Sequence, residues 1–565
     1  MTVAGESTSP AIVGDQAERQ TAADDRPARR HDRRVPARTT TVLLLAVAVL
    51  VPTVLFGWRA MHAPINFDGG MNLQVAEHLA RGDGYTRFYD QRLVFPHEVQ
   101  TNGPFIYLAA LAIKVFGENQ FAYQFANILC IAALAAIVFA LLRDNPVTRT
   151  VGPALVLLGI PLIWIYGLGG LGEIPTCMFL FAAVLALGEA VQAPKRAPVL
   201  VFGAFVAFGA AFATKTFAQG AGVALAAGLV CVLVAAPTRR LRWQVALAAT
   251  GAALIPAVRE LHRLISVGSF AGYRAWWSEE RSLITRQAGL ENTDTHSPVR
   301  AFLDHMHVLS DQVNFPAELL VIVLFVPLAW VGGLLLWRWR RYGIRRALAD
   351  RTTAVQLMLA GIAGSYIGWW MFIIPDNRLW IRRIIPGLLA LNLLYLFFVP
   401  WLARVGRAAL RRRTEHGAGE LPRWLLGTAA AAGVVMLAVA ALPYFRARLD
   451  DNTRALRKSD EPWLTATRDA AAYVDAHDEM KFYGDEWWSA PVVSLMSDRD
   501  FYNLGKADLC SLDPARDRLV WDVDAMTIRS AEPWTRNGSL VYEQVATFGP
   551  FVRIYAVGPA PGRCG

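Results

Sequence analysis

Apolar blocks of close to twenty residues recur along most of this chain, and nothing else restricts its fold as much. Thr41–Trp58, Phe121–Leu142 and Leu319–Trp337 each come near the roughly 20 residues that carry a helix across a bilayer. Further blocks lie at about 151–169, 174–192, 198–214, 217–236, 243–265, 353–374, 383–403 and 424–443, so about eleven spans are expected. Composition agrees: 54% of residues are hydrophobic and 18% charged, against about 25% charged in soluble domains. A soluble enzyme, a disordered scaffold and a secreted disulfide-rich module are excluded. The expected class is an α-helical polytopic membrane protein. The net charge of +10 belongs to basic loops beside a membrane rather than to nucleic-acid binding.

Residues 1–40 are polar and lack apolar periodicity, and read as a disordered cytoplasmic tail. Arg29, Arg30, Arg33, Arg34 and Arg38 stand just before the first block. A signal peptide shares that polarity, but the block is long and no small-residue cleavage site closes it. With the N-terminus inside, Arg143 and Arg149, Lys195 and Arg196, Arg239, Arg240 and Arg242, and the runs from Arg338 and Arg404 all fall on the cytoplasmic side, as basic loops do. The outer side then receives the first loop (59–117), short turns at Glu173 and Lys215, the loop 266–316 and a tail, 444–565. The tail reads as a small α/β domain, with a helix over Glu461–His477 and strands at Lys481–Gly484, Leu519–Val523 and Val552–Ala556. Cys510 and Cys564 in it can pair in an oxidising compartment, whereas Cys130, Cys177 and Cys231 lie in apolar sequence. No zinc-type cysteine or histidine spacing is present.

In the first loop, Asn72–Arg81 places Val75 and Leu79 on one face with Met71, four residues apart, the pattern of an amphipathic helix able to lie on a membrane surface. Pro104–Phe116 is apolar but too short to span, and suits a second surface or re-entrant helix.

Phe67-Asp68-Gly69-Gly70, followed by Val75-Ala76-Glu77-His78-Leu79 and Gly82-Asp83-Gly84-Tyr85, resembles the first periplasmic loop of the protein O-mannosyltransferase and aminoarabinose-transferase superfamily. Thr101-Asn102-Gly103-Pro104, Gly172-Glu173-Ile174-Pro175, Ala213-Thr214-Lys215-Thr216 and Arg382-Arg383-Ile384-Ile385-Pro386 continue the resemblance in order, over about residues 41–400. The family commonly carries a second acid directly after the first; here Gly69 follows Asp68. The resemblance implies the C-type glycosyltransferase fold over 41–443. It also implies an activity: a sugar passes from a polyprenyl-phosphate donor to the hydroxyl of a lipid, glycan or protein acceptor, at the outer face of the plasma (inner) membrane and with inversion. A transporter or flippase of a lipid-linked sugar is the competing class, but no internal repeat or mid-membrane charge supports it.

Such a transfer needs a carboxylate near the acceptor, to take its proton or hold a divalent metal that polarises it, and cations for the departing phosphate. Asp68 and Glu173 are the expected catalytic acids and, if a metal takes part, its ligands. Each has a plainer reading: Asp68 as a helix N-cap, Glu173 as an interfacial carboxylate. Lys215, Arg382 and Arg378 are the expected phosphate-binding cations, against a snorkelling Lys215 and interface-anchoring arginines. His78, His97, His305 and His307 read as surface histidines. Trp276-Trp277 and Trp369-Trp370 read as interfacial belt residues, and Trp487-Trp488 as core of the tail. Reporter fusions after Arg413 and after Asp450 should report opposite sides of the membrane; the same side for both would overturn the eleven-span topology.

Overall fold

A computed structural model describes residues 37–99, 101–144, 146–287, 298–313, 316–372, 381–415, 462–484, 489–522 and 539–562. Among them nine helices are long and apolar enough to cross a membrane: Thr40–His62, Gln120–Leu141, Glu173–Gln192, Pro194–Thr214, Thr216–Ala235, Arg239–Val267, Leu319–Tyr342, Arg351–Phe372 and Ile381–Val405. The chain is an integral, multi-pass membrane protein. Nine of the eleven expected spans recur, and 424–443 lies outside the described residues.

The expected span 151–169 is broken. Its place is taken by α5 (Pro146–Leu158) and α6 (Pro161–Tyr166). Pro161 has no N–H for a helical bond and forces the residue before it out of the helical region; Ile160 is accordingly extended, at φ −104° and ψ 111°. The two pieces together still cross the bundle. α5 starts near Arg143, which pairs with Glu189 at the far end of α7 (Glu173–Gln192). α6 ends at a glycine-rich turn held by the start of α4 (Gln120–Leu141).

The first loop folds into α2 (Phe67–Arg81), a two-stranded hairpin of β1 (Thr86–Tyr89) and β2 (Gln91–Val94), and α3 (Pro104–Phe116). The Asn66 side chain caps α2 by accepting from the Asp68 N–H at 3.0 Å, and Gly82 closes it in a left-handed conformation. Asp68 is therefore free of the capping role. α2 does not lie bare on a membrane surface: Asp68 to Glu77 are all buried, against the bundle at Gly169, against α3 and beneath the C-terminal domain.

That domain has a sheet of order β4-β3-β5-β7-β6: β3 (Lys481–Gly484), β4 (Phe501–Asn503), β5 (Asp517–Asp522), β6 (Leu540–Phe548) and β7 (Val552–Pro559). β3 runs parallel to β4 and β5; β7 is antiparallel to β5 and β6. One face is packed by the helix Pro462–Asp475 through Ala466, Ala470 and Val474. The short helix Ala490–Ser497 serves two cores. Its Val493 packs with the sheet, and its Val492 and Leu495 pack with Met71, Val75 and Phe105 of α2 and α3. Gln74 ties the two parts polar to polar, donating to Pro491 O at 3.2 Å and Ser494 Oγ at 2.9 Å. The expected helix and the three expected strands all recur within a few residues.

Cys510 is disulfide-bonded, Cys130, Cys177 and Cys231 are free and buried, and Cys564 lies outside the described residues. Denatured, unreduced protein should take up three thiol labels per chain and reduced protein five, read by intact mass; five without reduction would overturn the disulfide.

Candidate active site

Four stretches far apart in sequence meet at one point because backbone approaches backbone there. Gly69 on α2 lies against the turn before α7: a Cβ built on Gly69 would stand 1.7 Å from Gly169 O. Gly169 and Gly170 have φ of +79° and +76°, a region that only glycine enters cheaply. Three buried amides hold the turn. Gln124 Oε1 accepts from Gly169 N at 2.9 Å, Asn127 Nδ2 donates to Gly167 O and Leu171 O, and Asn72 Nδ2 donates to Gly170 O at 2.9 Å. Polar groups this deep in a helical bundle need such partners. The absence of a second acid after Asp68 thus has a steric cause, since any side chain at 69 would strike the turn.

The turn delivers Glu173 at the start of α7. Thr101, from the stretch before α3, packs on Gly172, and Asn102 N donates to Thr214 O at 2.9 Å. That bond fixes the end of α8 (Ala197–Thr214), after which Lys215 is extended, at φ −143°. Arg382 comes from a 3-10 turn, Ile381–Ile384, that opens the last described span.

The charged ends join in a row. The Lys215 ammonium stands 3.1 Å from Glu173 Oε1, Arg382 Nε is 3.6 Å from the same oxygen, and Arg382 Nη2 bonds to Asp68 Oδ2. The side chains of Lys215, Glu173, Asp68 and Arg382 are 6%, 1%, 5% and 15% exposed. Burial pushes Lys215 below the ordinary lysine range, and the Glu173 carboxylate restores only part of the fall. Among the described residues, buried Glu173 Oε2 has no hydrogen-bond partner. Two acids and two cations balance; removing one leaves an uncompensated buried charge, at about 3–5 kcal/mol.

A cavity of about 260 Å³ opens on this row, lined by Glu173, Lys215, Arg382 and Arg383 and, from other elements, His97, Asn102, Gln219, Glu280, Tyr366 and Trp369. Asp68 does not line it; Arg382 stands as its link to the cavity. Of the expected site residues, Asp68, Glu173, Lys215 and Arg382 come together, and Arg378 lies outside the described residues. His97 and Glu280 escaped the sequence reading, His97 as a surface histidine and Glu280 without any local pattern. His305 is not on the surface either: it is fully buried, with its ring edge-on to Trp370. Trp276 and Trp277 pack against Arg263, and Trp487-Trp488 lie outside the described residues. A second, larger cavity of about 500 Å³ lies between α2 and the sheet, lined by Glu77, Arg81 and Lys481 among others. Burial raises the Glu77 carboxyl there to about 8, but none of the expected site residues reaches it.

Residues 104–259 match the family model of dolichyl-phosphate-mannose-protein mannosyltransferases. The match runs from the start of α3 past Lys215, and so includes Glu173. ArnT from Cupriavidus metallidurans bound to undecaprenyl phosphate superposes with a TM-score of 0.53 at 14% identity, over 92% of this chain and 98% of that one. The chain has the fold of ArnT. At this identity the likeness to ArnT carries the fold. The apo form of the same ArnT scores 0.48 at 16% identity, over 92% of this chain and 98% of that one. The Archaeoglobus fulgidus oligosaccharyltransferase in complex with Zn and sulfate scores 0.49 at 13%, over 90% and 72%. No curated protein sequence matches this chain.

Among the described residues no three His, Cys, Asp or Glu side chains group as ligands, and both carboxylates are answered by cations that a divalent ion would have to displace. The residues as arranged do not fit a metal centre.

Gly69→Ala should push α2 off the turn and part Asp68 from Arg382. Overpacking of this kind costs about 1–3 kcal/mol or more, so the melting temperature in detergent should fall and polyprenyl-phosphate binding weaken. Unchanged values for both would remove the proposed contact as the cause of the site's geometry.

Proposed function

We propose that the protein is a membrane glycosyltransferase that moves a sugar from a polyprenyl-phosphate donor to an acceptor hydroxyl at the outer face of the plasma membrane, with inversion at the anomeric carbon. The observation that carries this reading is the buried row Asp68–Arg382–Glu173–Lys215, of which Arg382, Glu173 and Lys215 line a cavity and Asp68 stands behind Arg382. Without substrate, the two acids stand where a phosphate would otherwise answer the two cations. A donor phosphate entering the cavity competes for Arg382 and Lys215, and charge-assisted bonds to phosphate are strong enough to do so. Once Arg382 turns to the phosphate, Asp68 loses its partner. The acceptor oxygen then attacks the anomeric carbon as the bond from that carbon to the phosphate oxygen breaks. Its electron pair leaves on the phosphate, held by Arg382 and Lys215, and the hydroxyl proton passes to Asp68. Glu173 keeps Lys215 charged and aimed throughout.

Two features support the outer face. A disulfide at Cys510 belongs to an oxidising compartment, and the domain that holds it packs on α2, which carries Asp68. The basic loops fall on the opposite side. The acceptor is a hydroxyl of a lipid, a glycan or a protein, and the C-terminal domain, 444–565, is an accessory cover of the site.

Purified protein with synthetic polyprenyl-phosphate sugars tests the assignment. Asp68→Asn should lose about 10²–10⁴-fold in turnover, the scale of a lost general base, yet still bind polyprenyl phosphate, because its cations lose a competitor. Lys215→Ala and Arg382→Ala should lose donor binding as well as turnover. Near-normal transfer by folded Asp68→Asn would reject Asp68 as the base.

A further inference from the structure

The cavity has a second wall whose chemistry the phosphate-binding row does not use. His97 follows β2, Glu280 lies on the helix Phe270–Gln287, and both line the cavity. Glu280 Oε2 is 2.9 Å from His97 Nδ1, and Glu279 Oε2, outside the cavity, is 3.2 Å from His97 Nε2. The imidazole stacks on Trp276 with centroids 4.5 Å apart and planes at 20°. Trp276 is itself fixed: its indole N–H donates to Phe95 O at 2.7 Å, and the Arg263 guanidinium lies 3.7 Å from its ring centre. Arg263 in turn bonds to Glu260 at 2.7 Å. The imidazole–carboxylate pair is thus mounted on a rigid, largely buried frame, as groups that select a ligand need to be.

Charge and polarity restrict what such a pair receives. A phosphate is repelled by Glu280. A cationic ligand meets Lys215, Arg382 and Arg383 in the same cavity and finds Glu280 already answered by His97. An apolar group would strip water from a carboxylate and an imidazole without replacing it. Neutral hydroxyls fit. One Glu280 oxygen is engaged by His97, and the other makes no hydrogen bond to protein among the described residues, so it can accept from a hydroxyl. The Asn102 and Gln219 amides supply donors and acceptors nearby, and Trp369 adds a flat apolar ring of the kind that covers a sugar's C–H face.

We propose that Glu280 is the hydroxyl-binding group of this cavity, positioned by His97, whose two ring nitrogens face Glu280 and Glu279, and that it holds a hydroxyl of a neutral sugar, either the donor's or that of a carbohydrate acceptor. The proposal rests on the transferase reading and adds the substrate class: neutral, polyhydroxylated sugars rather than amino sugars. The test uses the full chain in detergent, with Glu280→Gln, His97→Gln and, as a control outside the cavity, Glu279→Gln. Glu280→Gln and His97→Gln should raise the KM of one substrate about tenfold or more with a smaller change in kcat, while Glu279→Gln leaves both near wild type. A rise in donor KM assigns the donor sugar, and a rise in acceptor KM assigns a sugar acceptor. A fall in kcat alone, or unchanged kinetics, overturns the proposal. So does an equal drop in melting temperature for all three variants without a KM change, which would mean that the pair only ties the loop to its helix. If wild-type protein transfers sugar from no polyprenyl-phosphate donor, the transferase reading fails first. Saturation-transfer NMR with methyl glycosides then decides this proposal separately. Signal with wild type that Glu280→Gln loses supports it, and no signal with wild type overturns it.

Discussion

Everything around the cavity depends on a buried row of four charges. Lys215, Glu173, Arg382 and Asp68 come from three spans and the first loop, and none of them tolerates such burial alone. Each charge is affordable only in the company of the next. The row therefore does two things at once: it pins the loop helix to the bundle, and it holds two cations charged and dehydrated before any substrate arrives. Cations kept in that state need little reorganisation to receive an anion, which is the electrostatic advantage of a preformed site.

Much of this was legible in the sequence, for reasons that differ from residue to residue. The spans were, because a bilayer imposes a length and an apolar composition that local sequence records directly. The break at Pro161 was not: mean hydropathy runs smoothly through 151–169, and only the geometry of one proline interrupts it. The four charged residues stood out by chemistry and position, but not their pairing; Asp68 and Arg382 are 314 residues apart, and no local pattern records such a contact. The capping reading of Asp68 failed because Asn66, two residues earlier, holds that role.

The amphipathic pattern of α2 had the converse weakness. Periodicity reports that one face is apolar without saying what covers the other, and here Pro491 and Ser494 of the last domain receive Gln74. His97 and Glu280 left no trace at all, because a histidine in a loop and a glutamate on a polar helix are what any exposed segment carries. Their meaning is purely spatial.

The covering of α2 by residues 490–497 also has a consequence in time. Gln74 waits for partners made 417 residues later, after every described span has been threaded through the membrane. Until that last domain is translated and folded, the flank of α2 that Gln74 occupies stays open. The molecule is thus completed from its far end, and a chain cut short before the sheet retains its spans with an unfinished centre.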